Sequence, residues 1–288
     1  MELTHSRKDS EPSVSSSRKK RPELFDHQAA VFDQRAGLPV NYCLSIASAV
    51  LEIAAVRPGD LIVEIGPGTG QIGQSFEAAT ARYVGLDLSA GMLKEFRRRA
   101  GDEINHRALV QADANAGWPL AGGVARAFFS SRAIHLLDHE HVAREAFRVA
   151  SPDGATFIVG RVAREADSVR ARMAREMRER LRRHGFEGRG GELRFQKLFD
   201  SFRRRGGEVL EPVPVARWKV SASPRASLDS WRSLAGLGGI QVPPTIRDQI
   251  LTELEAWASE VFGHLDEQSE SEETYVLRPV RVGPAQRA

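Results

Sequence analysis

A short apolar run that ends in a row of glycines constrains the fold of this chain more than any other feature. Residues Leu61–Ile65 are apolar apart from Glu64, and Gly66-Pro67-Gly68-Thr69-Gly70 follows at once. Glycines let the backbone turn sharply and approach a ligand closely, because they carry no Cβ. The pattern therefore predicts a buried strand, a tight turn and a helix that continues through Phe76, with backbone N–H groups facing a ligand at the turn.

Further apolar runs follow at regular intervals and alternate with helical patterns. The predicted strands are Tyr83–Leu86, Ala108–Gln111, Val124–Phe129 and Ala155–Val159, and the predicted helices between them are Ser89–Arg99 and His139–Ala150. Parallel strands need crossover connections, which are usually helices, so this alternation predicts a parallel sheet covered on both faces. We therefore expect an α/β fold.

Composition and charge divide the chain into four predicted regions. Residues 1–23 are rich in Ser, Lys and Arg and predict a disordered basic tail, and residues 24–160 predict the ligand-binding core with N-terminal lid helices. Residues 161–205 then predict a helical cap, and residues 206–288 predict C-terminal strands that carry a helical insertion at 221–265.

Charge and cysteine content limit the classes of protein to which this chain can belong. Residues 161–205 hold 15 basic and 7 acidic side chains, whereas residues 248–277 hold 9 acidic and no basic ones. We expect these oppositely charged stretches to contact each other or a neighbouring subunit, and the oligomeric state stays open. The single cysteine, Cys43, excludes an internal disulfide, and no Cys/His cluster has metal-ligand spacing. No apolar run reaches the roughly 20 residues of a membrane span, so we expect a cytoplasmic protein without a metal site.

An acidic residue lies at or beside the end of each of the first three predicted strands. These residues are Glu64, Asp87 and Asp113. Each alone has an ordinary explanation as a helix cap or a turn residue. The carboxyl ends of parallel strands meet at one edge of a sheet, where ligands bind in open α/β folds, so together they favour a binding site. Asp87 follows Gly70 by 17 residues, a position from which a carboxylate accepts both hydroxyls of a ribose.

Two nucleotide chemistries compete for this pattern. The segment Gly68-Thr69-Gly70-Gln71-Ile72-Gly73 matches the dinucleotide fingerprint of nicotinamide enzymes. However, a carboxylate at Glu64 would repel a pyrophosphate and attract a ligand that carries an amine and a sulfonium. In addition, none of the three tyrosines has a lysine four residues later. The dehydrogenase interpretation is therefore disfavoured.

The arrangement resembles the class I S-adenosylmethionine-dependent methyltransferases. The segment from Glu64 to Gly70 fits that family's Asp/Glu-x-Gly-x-Gly-x-Gly motif, Asp87 matches its ribose-binding acid, and Asp113-Ala114 matches its adenine-contacting pair. The segment Arg148–Gly154 looks like the family's turn before the fifth strand. The chain is most similar to the small-molecule branch that includes quinone-biosynthesis-type enzymes, because Phe32–Arg35 looks like the aromatic-Asp signature of that branch's lid.

The resemblance implies a fold, a cofactor and a set of contacts. The fold would be a Rossmann-like, mostly parallel sheet of seven strands with helices on both faces and a helical cap, and the cofactor would be S-adenosyl-L-methionine. Glu64 and the backbone at Gly66 would hold the methionine amine, Gly68 and Gly70 would admit the cofactor, and Asp87 would bind the ribose. The remaining implied contacts are Leu88 and Met92 beside the adenine, Asp113 and Ala114 at the adenine amine, and Ser130 at the reactive end.

The sequence says less about the methyl acceptor than about the cofactor. Methyl transfer from a sulfonium is an in-line displacement, so holding the nucleophile in line with the methyl supplies most of the catalysis. His135 follows the fourth predicted strand, where the acceptor enters, and a neutral imidazole there could accept a proton or orient the substrate. The alternative is that His135 packs under its loop and bonds to the backbone.

The expected partner is a small organic acceptor. Nucleic acid is disfavoured because residues 165–183 carry arginines without aromatic residues, and because Phe129–Arg132 differs from the Asn/Asp-Pro-Pro-Tyr/Phe loop of enzymes that methylate base amines. Two alternatives stay open. One is an RNA or protein methyltransferase that uses the arginine-rich cap, and the other is a cofactor-binding protein without catalysis.

Overall fold

The computed structural model describes residues 38–78, 81–101, 106–187, 192–234 and 236–283. The predicted basic tail (1–23) and the lid signature Phe32–Arg35 lie outside the described residues, as does most of the predicted N-terminal lid.

Eight strands form one mixed sheet. They are β1 (Leu61–Ile65), β2 (Arg82–Asp87), β3 (Arg107–Gln111), β4 (Ala125–Ser130), β5 (Ala155–Arg164), β6 (Glu208–Val209), β7 (Val213–Ala222) and β10 (Ser269–Val282). The order is β3-β2-β1-β4-β5-β10-β6, and β7 also pairs with β10. Strands β1 to β5 are parallel, whereas β10 is antiparallel to β5. The α/β prediction is therefore confirmed.

The last position of the sheet is shared by two strand segments. β6 pairs with β10 at Val209, and β7 pairs with it from Val213 onward, with an irregularity in the register opposite Pro214. Proline has no N–H to donate to a ladder, so a break at this edge is expected. Counted by position, the sheet has the predicted seven strands.

Seven helices, described in whole or in large part, accompany the sheet. They are α1 (Cys43–Ile53), α2 (Ala90–Ala100), α3 (His139–Val149), α4 (Val169–Arg183), α5 (Glu192–Arg204), α6 (Pro224–Arg232) and α7 (Pro244–Phe262). The predicted helix after the glycine turn is instead a short 3-10 helix, Gly73–Ala78. Two apolar clusters cover the two faces of the sheet, one with α1 and Phe96 of α2, the other with α3 and α5. Alternate residues of β1 enter the two clusters, because successive strand residues face opposite sides.

A third apolar cluster holds together what we call the cap. The cap consists of α4, α6, α7 and the hairpin of β8 (Gly236–Leu237) and β9 (Ile240–Gln241). Met173 of α4, Leu228 of α6 and Leu254 of α7 are fully buried in this cluster. The cap therefore has a core of its own beside the two that cover the sheet.

The oppositely charged stretches meet within the chain. His184 lies 3.4 Å from Glu253 on α7, and Arg180 donates to the carbonyl of the same glutamate at 3.2 Å. Glu273 on β10 is buried between Arg164 and Arg170, at 2.7 and 3.1 Å. Part of the acidic stretch thus neutralises the basic one in the same molecule.

Candidate functional site

A cleft opens at the carboxyl ends of β1, β2 and β3, at the edge that the sequence predicted. Its volume is about 790 Å³, part of which is open to solvent, and its walls are mostly apolar. Most of the predicted cofactor contacts line it, namely Gly66, Gly68, Asp87, Leu88, Met92, Asp113 and Ala114. The structure therefore gathers residues from three separate strand ends around one space.

The glycine bend forms one wall of this cleft. Gly66, Gly68 and Gly70 all have positive φ, at 69°, 58° and 78°, where other residues are strained. A Cβ at Gly66 would lie 2.1 Å from Cβ of Ala133, and one at Gly70 would lie 2.1 Å from the ring of Phe96. A Cβ at Gly68 would meet no protein atom closer than 4.0 Å. Packing thus explains the first and third glycines, whereas Gly68 borders open space.

Asp87 ties the glycine bend to the helix that follows β2. Its carboxylate accepts from the N–H of Gly68 and from the N–H of Ser89, both at 2.9 Å. Ser89 caps α2, and its hydroxyl accepts from the N–H of Met92 at 3.0 Å. The half-buried carboxylate of Asp87 is therefore fixed in place at the cleft wall.

The third acid is held by a residue that the sequence analysis passed over. Asn115 donates to Oδ1 of Asp113 from its backbone and from its side chain, each at 2.9 Å. Its side-chain oxygen accepts from the N–H of Asp138, the N-cap of α3, at 2.7 Å. Asn115 lines the cleft and joins the loop after β3 to the loop after β4. Asp113 itself is exposed at the rim, beside the buried Ala114.

Glu64 lies in β1, two residues before the bend begins at Gly66, and does not line the cleft. It is 3% exposed, and its Oε2 accepts from the hydroxyl of Tyr83 at 2.6 Å. Burial raises the pKa of Glu64 to about 7, and the charge of Asp87 adds to the rise, against the hydrogen bond from Tyr83 and the charges of Arg132 and Arg107. A cation bound nearby would favour the ionised carboxylate.

Polar residues that sequence reasoning did not assign border the cleft beyond β4. Arg132 lines the cleft, with Nη2 3.5 Å from Oε1 of Gln71. The Gln71 amide accepts from the N–H of Leu38 at 3.0 Å and donates to its carbonyl at 2.7 Å. This amide thus anchors the start of the described chain to the loop that follows the glycine bend.

A buried tyrosine supports the same end of the cleft. The hydroxyls of Tyr275 and Ser131 lie 2.7 Å apart, and burial raises the pKa of the tyrosine. A Cβ at Gly160 on β5 would lie 2.1 Å from the Tyr275 hydroxyl oxygen. A glycine in a strand often marks such a close approach. Gly160 directly follows the predicted strand Ala155–Val159 and is the signal that could have found this contact.

Two predicted residues lie next to the cleft without lining it. Ser130 is fully buried at the end of β4, and its hydroxyl donates to the carbonyl of Ile65 at 2.8 Å, which ties β4 to β1. His135 is half-buried on a 3-10 helix, Ile134–Leu136, next to Leu136, which does line the cleft. Their roles toward cofactor and acceptor stay predictions.

Two features are missing from the described ranges: a helix suited to span a membrane and a cluster of metal ligands. None of their helices combines the length and apolar character needed to cross a membrane. No group of three or more His, Cys, Asp or Glu side chains in these ranges could hold a metal ion.

Comparison with known proteins agrees with this geometry. Residues 62–154 match the family Methyltransf_25, described as a methyltransferase domain. A curated relative, the ribosomal RNA small subunit methyltransferase A of Protochlamydia amoebophila (strain UWE25), is 30% identical over 77 residues. That match covers 26% of this chain, and the chain spans about a quarter (27%) of the relative's length.

Solved structures show the same fold at low sequence identity. A candidate methyltransferase of Bacillus halodurans C-125 has a TM-score of 0.55 at 16% identity, over 83% of this chain and 99% of that one. The [4+2]-cyclase SpnF has a TM-score of 0.56 at 16% identity, over 92% and 95%. The glycine bend and the three strand-end acids all lie within residues 62–154, the part of the chain that matches a methyltransferase domain.

Proposed function

We propose that this protein transfers a methyl group from S-adenosyl-L-methionine to a small organic acceptor by in-line displacement. One observation carries the proposal: Gly66 and Gly68 of the glycine bend, Asp87 and Asp113 line the same cleft. Glu64 is buried in β1, two residues before Gly66. We also propose a cytoplasmic location, which agrees with a single buried cysteine, Cys43.

The residues present fit this cofactor. Asp87 presents a fixed carboxylate for the ribose hydroxyls, and Gly68 leaves room for a ligand against the backbone. Leu88 and Met92 offer apolar walls to a flat base, and the exposed carboxylate of Asp113 suits the exocyclic amine. The remaining assignments, Ala114 at the adenine, Gly66 and Gly70 at the bend and Ser130 at the reactive end, belong to the same proposal.

Glu64 would provide the counter-charge for the amino group of the methionine part. The buried carboxylate has a raised pKa while no cation is beside it, so an ammonium ligand and the ionised form of Glu64 stabilise each other. When bound, S-adenosyl-L-methionine supplies an electrophilic methyl group on a sulfonium. The protein supplies fixed geometry and mostly apolar walls that limit the access of water. We propose that His135 acts on the acceptor, either by accepting a proton from it or by positioning it.

The cofactor site is tested by titration with S-adenosylhomocysteine. Asp87→Ala removes a charged acceptor of two hydroxyl hydrogen bonds, so we expect the affinity to fall by roughly 10- to 100-fold. Asp248→Ala, an exposed acid on α7, is the matched control and should leave the affinity unchanged. Equal affinities for Asp87→Ala and the unaltered protein would remove Asp87 from the site.

The acceptor class is tested by transfer of a labelled methyl group. Small-molecule extract, RNA and protein are offered separately, and label is expected in the small-molecule pool. A nucleic acid is the second candidate, because the curated relative is named for ribosomal RNA. SpnF is named as a cyclase despite the shared fold, so absence of transfer to any pool with intact cofactor binding would favour a protein without methyltransferase activity. We also propose that the protein belongs to the quinone-biosynthesis-like branch of the small-molecule methyltransferases.

A further inference from the structure

One face of the cap helix α4 carries a row of arginines. Arg175, Arg178 and Arg182 are spaced three and four residues apart, so their side chains share one side of the helix. Arg164, the last residue of β5, is close enough to act on the charge of Arg178, which is itself half-buried. Together with Arg164, the row forms a group of four neighbouring cations. We call Arg164, Arg175, Arg178 and Arg182 the arginine cluster.

Two acids pair with members of this cluster, and each is shared with an arginine outside it. Glu179 pairs with Arg182 at 2.9 Å and with Arg183 at 3.6 Å. Glu273, at the other side, pairs with Arg164 at 2.7 Å and with Arg170 at 3.1 Å. Neither of these two carboxylates is therefore reserved for the arginine cluster.

Arg178 is the residue on which the charges of the other three arginines act. Arg175 donates to the carbonyl of Ala166 at 3.4 Å, whereas Arg178 makes no hydrogen bond or ion pair with any residue in the described ranges. Burial lowers the pKa of Arg178, and the charges of Arg182, Arg164 and Arg175 lower it further. A partly desolvated guanidinium among like charges is costly, and an anion placed there would offset that cost.

The strand register places the cluster at the carboxyl end of β5. Tyr275 pairs with Val162 of β5, and its hydroxyl contacts Ser131, the neighbour of the cleft-lining Arg132. Arg164 lies two residues further along β5, about 7 Å at the usual strand rise. The cluster is thus at the carboxyl edge of the sheet, the edge at which the cleft also opens.

We propose that the arginine cluster, centred on Arg178, binds an anionic group of the acceptor, so that the methylated substrate is a small organic anion carrying a phosphate or a carboxylate. This inference rests on the proposed function. A small anion fits better than RNA, because the uncompensated charge is concentrated at a half-buried residue, and an RNA backbone needs several exposed cations along its length.

Inorganic pyrophosphate is the binding probe, titrated calorimetrically into the full chain with and without S-adenosylhomocysteine. Arg178→Gln should weaken pyrophosphate binding by at least about tenfold, since a charge-assisted contact to an anion is lost, and Arg178→Lys should retain part of it. Arg183→Gln, on the same helix but exposed and paired with Glu179, is the control that should bind as the unaltered protein does. Equal binding by all variants, or none by the unaltered protein, would overturn the inference.

Methyl transfer extends the test to the acceptor. The labelled product of the small-molecule pool should be retained on an anion exchanger, and Arg178→Gln should raise KM for that pool with little change in the affinity for S-adenosylhomocysteine. A product that is not retained overturns the inference while the proposed function stands. Failure of S-adenosylhomocysteine to bind the unaltered protein overturns the proposed function instead. RNA binding that falls in Arg178→Gln, without pyrophosphate binding, would assign the cluster to nucleic acid.

Discussion

The cleft and the cap are stabilised in different ways. Around the cleft, backbone turns at positive φ and carboxylates that bond to N–H groups fix each residue at one position. In the cap, three helices share a small apolar cluster and are joined by ion pairs, such as those of Glu255 with Arg225 and Arg232, both at 2.5 Å. The cleft therefore demands particular residue types, whereas the cap needs only an amphipathic pattern and charge balance.

Matched glycine substitutions give the sharpest contrast between the two regions. Gly70→Ala places a Cβ 2.1–2.4 Å from the ring of Phe96 at φ 78°, so the bend or the ring must move. We expect a loss on the order of 4 kcal/mol in the free energy of unfolding and at least about tenfold weaker binding of S-adenosylhomocysteine. Gly185→Ala in the cap has the same φ but open space around it, so only about 1 kcal/mol should be lost. Chemical denaturation measures both, and equal losses would contradict the contrast.

Truncation of a cap side chain should destabilise the protein without harming the cofactor site. Leu254 is fully buried in the cap cluster, and Leu254→Ala should lower the free energy of unfolding by about 3 kcal/mol through lost burial and a cavity. Val261→Ala on the same helix is the control, because Val261 is 38% exposed. Titration of the folded variant with S-adenosylhomocysteine should give an unchanged affinity. A marked loss of affinity would show that the cap and the cleft are coupled.

The smallest expected effect concerns pH and Glu64. The pKa is about 7 in the folded protein against an ordinary 4.5, so ionisation of Glu64 opposes folding. The cost is absent below pH 4.5, grows between pH 4.5 and 7 and is constant above 7. Glu64→Gln removes the charge and keeps an acceptor for Tyr83, so it should raise the free energy of unfolding by about 2 kcal/mol at pH 8 and leave it unchanged near pH 4.

The control for Glu64→Gln is Glu52→Gln, an exposed position on α1. We expect it to show no such dependence on pH in denaturation curves. Binding should respond in the opposite sense to stability, since Glu64→Gln removes the counter-charge for an ammonium and should weaken the affinity for S-adenosylhomocysteine. If the variant and the unaltered protein lose stability in parallel as the pH rises, Glu64 is not the group that titrates.

The cleft was largely predictable because its signals are local. A glycine run after an apolar strand and an acid at the next strand end are fixed by short-range backbone geometry, and both Gly68 and Asp87 line the cleft. The helical cap predicted over 161–205 likewise includes α4, which begins at Val169 because Ser168 caps it through the N–H of Ala171.

The contacts that the sequence did not predict join distant parts of the chain. β5 extends to Arg164 because β10, more than a hundred residues later, pairs with it along its whole length. The Gln71–Leu38 bonds and the Tyr275–Ser131 contact likewise depend on how elements pack, and no spacing rule relates such residues. Arg178 was visible only as one arginine among many, since its lack of a partner in the described ranges is a property of the folded surroundings.

The connection between β7 and β10 has a consequence for how this protein could diversify. Ala222, where β7 ends, is directly paired with Ser269, where β10 begins, and α6, the hairpin and α7 all lie between them in sequence. The two ends of this insert are therefore neighbours in the β7–β10 ladder. The insert can change in length and sequence without separating these two strands, as long as its apolar face still covers α4.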